Sequence, residues 1–143
     1  MQASNPQALA QGQGPWVALL SGADARVAPE WLFGVGSGER VQVQVAGNSA
    51  FNGGIANLEY AVAALEVPLI VVMGHSRCNA VAAAMGSERL TPLLQDLGEP
   101  IGASLQPNDD LTQATKGNPR YAAGQLVTRS PGQRQGQDPA GLL

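Results

Sequence analysis

Histidine and cysteine each occur once in this 143-residue chain, as His75 and Cys78, three positions apart. An imidazole nitrogen and a thiolate are common zinc ligands in proteins. On the first turn of a helix the two residues would face the same side and could converge on one metal ion. A helix N-terminus also favours the thiolate, the form that binds metal or attacks an electrophile. The spacing predicts part of a metal site, although a lone cysteine is often only a small buried apolar group.

The segments around this pair predict a strand followed by a helix. The apolar run 68–73 is rich in β-branched residues and has no charge, which is typical of a buried strand. Gly74 allows a sharp turn, and the alanine-rich run 80–84 predicts a helix. Ligand sites in open α/β sheets lie at this position, beyond the carboxyl end of a strand.

The N-terminal part of the chain repeats the same pattern. The apolar segment 16–20 and the alternating segment 41–45 predict two more strands. Helices are predicted at 29–33, after a proline, and beyond Asn52, which can serve as an N-cap. Strand-then-helix units in succession indicate an α/β fold, a three-layer sandwich whose mostly parallel central sheet has about four strands with helices on both faces.

Beyond residue 85 glycine and proline interrupt the pattern. Short helical pieces are predicted at 90–97 and 110–114, and a last helix at 120–127. Gly117 and Pro119 are interpreted as a break between the last two helices.

Length and composition favour one domain, residues 1–129, followed by a disordered Gly-, Gln- and Pro-rich tail, residues 130–143. The net charge of -3 gives no electrostatic case for binding nucleic acid or an anionic membrane. No apolar run is long enough to span a bilayer, and no signal peptide is recognisable. A single cysteine excludes an internal disulfide. We therefore expect a cytoplasmic protein.

Five short segments, in order along about residues 5–129, resemble the signatures of the β-class carbonic anhydrases. Each segment alone is a weak signal, but their combination and order are specific. The segments are Gln13-Gly14-Pro15, Asp24-x-Arg26 with Val27, Pro29 and Glu30, Ala46-Gly47-Asn48, Asn57-Leu58-Glu59-Tyr60-Ala61-Val62, and Gly74-His75-x-x-Cys78.

The resemblance implies a zinc enzyme that reversibly hydrates carbon dioxide to bicarbonate, with zinc-bound hydroxide as the attacking group. His75 and Cys78 would be zinc ligands. Asp24, held by Arg26, would orient the water or swing onto the metal. A loop-stabilising ion pair between Asp24 and Arg26 is an equally weighted alternative.

The resemblance also implies a substrate pocket and an oligomer. Gln13 and Tyr60 would lie near the carbon dioxide and bicarbonate pocket of a homodimer, or of a higher oligomer of dimers. Gln13 could equally cap a loop, and a core or dimer-contact role is favoured for Tyr60.

Departures from the family pattern gather at this predicted site. The first zinc cysteine, two residues before Asp24, is replaced by Gly22, and the chain has no other cysteine to take its place. Ala25, Gln44 and Asn79 are further departures. Asp24 could restore three protein ligands by binding zinc permanently, but it would then no longer orient the water. We therefore expect an impaired carbonic anhydrase or a non-catalytic family member acting as a scaffold or subunit partner.

Overall fold

The computed structural model describes residues 6–87 and 90–129, which form an α/β fold around a parallel sheet. The predicted fold class is confirmed, although the described residues form three strands rather than about four. The tail predicted for residues 130–143 lies outside the described residues. The strands are β1 (Val17–Gly22), β2 (Arg40–Val45) and β3 (Ile70–Met73), and the helices are α1 (Pro6–Leu9), α2 (Pro29–Phe33), α3 (Asn52–Leu65), α4 (Asn79–Met85), α5 (Pro92–Gly102) and α6 (Leu111–Arg129).

The register of the sheet brings two strand ends together. The strand order is β2-β1-β3, and both neighbours run parallel to β1. Ser21 of β1 lies opposite Met73 of β3, each next to or at the end of its strand. Because parallel strands present their carboxyl ends at the same edge, the loops that follow Gly22 and Met73 lie side by side.

The core lies on both faces of β1, whose six residues are all buried. Ala18 and Leu20 pack in a cluster with buried residues of α3 and α6. Val17 and Leu19 point to the opposite face, where they pack with Val35 of the connection between α2 and β2. This alternation is the period of two expected of a strand, and it holds the loop after β1 on a rigid support.

The last two helices pass through residues that the sequence predicts as breaks. Helix α6 runs for 19 residues and includes Gly117 and Pro119, so the predicted division into two pieces is wrong. An interior proline costs about 3 kcal/mol of helix stability. Burial of Ala122 and Leu126 beyond the proline offsets that cost, because both pack into the main core.

Two helix starts also differ from expectation. Phe51 occupies the N-cap position of α3, so Asn52 is its first helical residue rather than its cap. Helix α5 begins at Pro92, where the Thr91 hydroxyl accepts a hydrogen bond from the backbone N–H of Leu94, and it continues through Pro100. The short piece predicted at 90–97 is therefore longer than expected.

Apolar side chains remain exposed on α2. Trp31, Leu32 and Phe33 are 75%, 67% and 45% exposed, and Trp16, just before β1, is 48% exposed. Across residues 6–87 and 90–129, no helix has the length and apolar character needed to cross a membrane.

Candidate functional site

His75 packs directly on the backbone of Gly22 at the carboxyl edge of the sheet. A Cβ atom built on Gly22 would lie 3.1 Å from Cδ2 and 3.2 Å from Nε2 of the imidazole. His75 Nδ1 lies 3.1 Å from the carbonyl oxygen of Ser76, within reach for a protonated Nδ1 to donate a hydrogen bond. That contact leaves Nε2 facing the loop after β1. The register of β1 and β3 produces this meeting of two loops.

Asp24 and Arg26 form a two-pronged ion pair beside the imidazole. The Arg26 Nε–H donates to Asp24 Oδ1 at 2.8 Å, and Nη2–H donates to Oδ2 at 2.7 Å. The backbone N–H of Arg26 also donates to Oδ1, at 3.0 Å. These hydrogen bonds hold the pKa of the Asp24 carboxyl well below its ordinary value, and they raise the pKa of Arg26. Asp24 is therefore an ionised carboxylate with both oxygens engaged, and Oδ2 lies 3.7 Å from His75 Nε2.

Arg77 joins the two loops through its backbone. Its carbonyl oxygen accepts a hydrogen bond from Arg26 Nη2 at 3.3 Å. Its φ of 52° lies in the left-handed region, which costs a residue with a side chain roughly 1–2 kcal/mol. The Asp24–Arg26 pair is thus tied to the backbone of the loop that carries His75.

Cys78 is buried and precedes the helix rather than lying within it. It occupies the N-cap position of α4, which begins at Asn79, and its side chain makes no capping hydrogen bond. The expectation that His75 and Cys78 share the first helical turn is therefore wrong, because both lie in the irregular segment before the helix.

The side chains around His75 do not fit a zinc centre. Within the part of the chain that the structure describes, no group of three or more His, Cys, Asp or Glu side chains could hold a metal ion. Gly22 offers no ligand, and both oxygens of Asp24 already accept hydrogen bonds from Arg26. His75 and Cys78 alone would supply two protein ligands, whereas a catalytic zinc site has three. The alternative Asp24, His75 and Cys78 set does not assemble in this structure.

The two predicted pocket residues lie apart from this cluster. Gln13 is exposed in the connection that precedes β1. Tyr60 lies on α3 and is 57% exposed, so a core role within this chain is wrong. Neither residue lines the cavity that borders His75. Their roles in a substrate pocket stay predictions.

Contacts from distant segments support the His75 loop from behind. A Cβ atom on Gly74 would lie 3.0 Å from Cγ of Pro119 and 3.6 Å from Oδ1 of Asn48. Asn118, which is 2% exposed, donates from Nδ2 to the Gly47 carbonyl at 2.7 Å. Helix α6 therefore fixes both the turn after β2 and the start of the loop that carries His75.

Lys116 and Arg120 of α6 line the cavity beside His75 together with Arg77, and the sequence patterns predict no role for any of the three. Positions four apart fall on one face of a helix, and this spacing is visible in the sequence. The predicted break at Gly117 and Pro119 conceals it, because Arg120 belongs to the predicted last helix, 120–127, whereas Lys116 lies between the predicted helices.

Comparison with known proteins defines the class. Residues 17–130 match the family described as "Carbonic anhydrase". Carbonic anhydrase 2 of Mycobacterium tuberculosis is 44% identical over 79 residues, which cover 55% of this chain and 38% of that protein. The carbonic anhydrase of Synechococcus elongatus is 38% identical over 94 residues, which cover 62% of this chain and 34% of that protein.

A solved structure extends the likeness to the fold. A tetrameric β-carbonic anhydrase from Sordaria macrospora superposes with a TM-score of 0.70 at 23% identity, over 85% of this chain and 67% of that one. The chain belongs to the carbonic anhydrase family, and within it to the β class. It spans well under half the length of the curated relatives it matches.

Proposed function

We propose that this chain is a non-catalytic member of the β-carbonic anhydrase family, which acts as a folded scaffold or as a subunit partner of an intact relative. The observation that carries the proposal is Gly22, with the His75 ring against it, where the family places a zinc cysteine. Zinc binding at structural sites amounts to about 10–16 kcal/mol, so a lost ligand gives up about 3–4 kcal/mol. That loss weakens binding by roughly two to three orders of magnitude.

Zinc-dependent hydration of carbon dioxide, at a reduced rate, is the second candidate. It is favoured by the Asp24–Arg26 pair, which forms with Asp24 Oδ2 3.7 Å from His75 Nε2. It is also favoured by relatives that are themselves named carbonic anhydrases. This activity would require zinc on His75 and Cys78 with Asp24 as the third protein ligand. Asp24 would first have to exchange its hydrogen bonds with Arg26 for the metal.

Metal analysis and stopped-flow kinetics of purified protein separate the two candidates. For a non-catalytic protein we expect less than about a tenth of an equivalent of zinc, and carbon dioxide hydration at the uncatalysed rate. Gly22→Cys restores the missing thiolate, so we expect it to raise the zinc content, after the imidazole moves by a few tenths of an ångström. Gly22→Ala is the matched control, because it adds the same Cβ contact without sulfur.

The result that contradicts the first candidate is a wild-type protein with near-stoichiometric zinc and a hydration rate that a chelator abolishes. The double variant Gly22→Cys/His75→Ala checks the location of any restored zinc. It should lose the metal that the single variant gains, because His75 would be one of its ligands.

We also propose that the chain self-associates as a homodimer or as an oligomer of dimers. The exposed apolar side chains of α2 and of Trp16 support this proposal, since such patches commonly mark protein interfaces. The structurally similar Sordaria macrospora enzyme is described as tetrameric.

A further inference from the structure

A cavity of about 610 Å³ between the loop 74–77 and α6 carries a concentration of positive charge. Arg77, Lys116 and Arg120 line it, and among the described residues no carboxylate does. Within residues 6–87 and 90–129, none of these three side chains forms an ion pair or a hydrogen bond. We propose that this cavity binds the phosphate group of a small molecule.

The cations approach the cavity from two elements. Lys116 and Arg120 lie four residues apart on α6, so they project from one face of the helix. Arg77 comes from the facing loop, where its backbone lies in the left-handed region and its carbonyl accepts a hydrogen bond from Arg26. Like charges that line one cavity repel each other, and a bound anion relieves that repulsion.

Thr115 adds a polar group at the wall of the same cavity. The residue is 8% exposed, its hydroxyl oxygen is shielded from solvent, and among the described residues that hydroxyl has no hydrogen-bond partner. Buried polar groups almost always have a partner. A side-chain rotation that turns this hydroxyl toward the cavity would let it donate to an anionic oxygen and gain the partner it lacks.

The chemistry of the lining favours phosphate over a smaller oxoanion. A phosphate monoester carries nearly two negative charges near neutral pH and several acceptor oxygens, which suits three cations and a hydroxyl. Guanidinium groups such as those of Arg77 and Arg120 match phosphate oxygens with paired N–H donors. The volume lies in the range of small-molecule pockets and leaves room for the rest of a ligand along Leu111 and Pro119.

Titration of the full chain with inorganic phosphate at low ionic strength tests the proposal. Binding is measured by calorimetry and by ³¹P line broadening. We expect saturable binding at a single site. Lys116→Gln/Arg120→Gln should weaken binding by at least roughly tenfold, because charge-assisted hydrogen bonds are the strong ones. Arg129→Gln is the matched control, since Arg129 bonds to the Ala50 carbonyl and does not line this cavity.

A Thr115→Val variant separates ligand binding from folding. It should weaken phosphate binding while leaving the melting temperature unchanged or higher, because it removes an unpaired buried hydroxyl. The proposal is overturned by a wild-type protein without saturable binding, or by an unaltered affinity in the Lys116 and Arg120 double variant. Tighter binding of bicarbonate than of phosphate would also overturn it.

Discussion

At the scale of single residues, the Asp24–Arg26 ion pair forms beside His75, and Gly22 presents no side chain that could bind a metal. Asp24, Arg26 and His75 lie close together because the β1–β3 register places their loops side by side. The His75 imidazole packs against the backbone of Gly22, which has no side chain. The sequence shows directly that no second thiol is available, because Cys78 is the only cysteine in the chain. It does not predict the left-handed backbone of Arg77 or the hydrogen bond that its carbonyl accepts from Arg26, a residue 51 positions away.

The Asp24–Arg26 pair has a predictable pH dependence. The folded state holds the pKa of the Asp24 carboxyl below its ordinary value of about 3.9, so the pair stabilises the fold fully above that value. The stabilisation is lost as the pH falls through the lower folded-state pKa. Urea denaturation should therefore show a stability difference between wild type and Asp24→Asn that is constant from about pH 5 to 8 and shrinks below about pH 4.

The stability difference between wild type and Asp24→Asn should be small, because the Arg26 side chain is 59% exposed and solvent screens the ion pair. Arg26→Gln removes the partner and should show the same pH dependence. A difference that grows on acidification would contradict the assignment.

Gly74 is constrained by its contact with Pro119 rather than by its own backbone conformation. Its Cβ position lies 3.0 Å from Cγ and 3.4 Å from Cδ of Pro119, so an added methyl group must displace the proline ring. We expect Gly74→Ala to lower the free energy of unfolding by about 1–3 kcal/mol, the usual cost of overpacking. Thermal or urea denaturation measures it.

The double variant Gly74→Ala/Pro119→Ala provides the test of mechanism. Gly74→Ala should cost less when it is made in the Pro119→Ala background than in the wild type, because the smaller side chain opens the space that the methyl group needs. An equal cost in the two backgrounds would show that the contact is not the cause.

At the scale of elements, the sequence predicts what is periodic and misjudges what tertiary packing decides. Helix α2 has the predicted bounds, and the three strands lie close to the predicted apolar runs. Helix α6 differs because Gly117 and Pro119 are poor helix residues locally, while Ala122 and Leu126 bury the helix against the sheet.

Asn118 should be the most sensitive polar residue on α6. Asn118→Ala leaves the Gly47 carbonyl, in a buried turn, without its donor, and we expect a loss of about 1–3 kcal/mol in the free energy of unfolding. Asn57→Ala on α3 is the matched control. Its side-chain amide also donates to a backbone carbonyl, that of Gly53, but at an exposed position. We expect that control to change stability by at most about 0.5 kcal/mol, and equal losses would refute the burial argument.

At the scale of the whole molecule, the surface of α2 sets an expectation for assembly. Trp31 and Leu32 are 75% and 67% exposed, an unfavourable arrangement for large apolar groups unless another surface covers them. Trp31→Asp/Leu32→Asp should shift the protein toward monomer in light scattering coupled to size-exclusion chromatography. The fold should be retained, because neither side chain is part of the core.

Leu93→Asp is the control for that experiment. Leu93 is 82% exposed on α5, far along the chain from α2, so its substitution should leave the oligomeric state unchanged. A wild-type protein that is monomeric at micromolar concentration would refute self-association through α2.

The hydrogen bond from Asn118 to Gly47 also bears on how the chain reaches its native state. It joins residues 71 positions apart, and the bond from Arg129 to the Ala50 carbonyl joins residues 79 positions apart. Closing such long loops costs chain entropy before the compensating contacts have formed. Contacts of high sequence separation therefore slow folding. The turn after β2 and the His75 loop both rest on α6, so we expect them to acquire native structure only after this last helix docks. A nascent chain whose α6 had not yet emerged from the ribosome would therefore lack the native conformation of both the turn after β2 and the His75 loop.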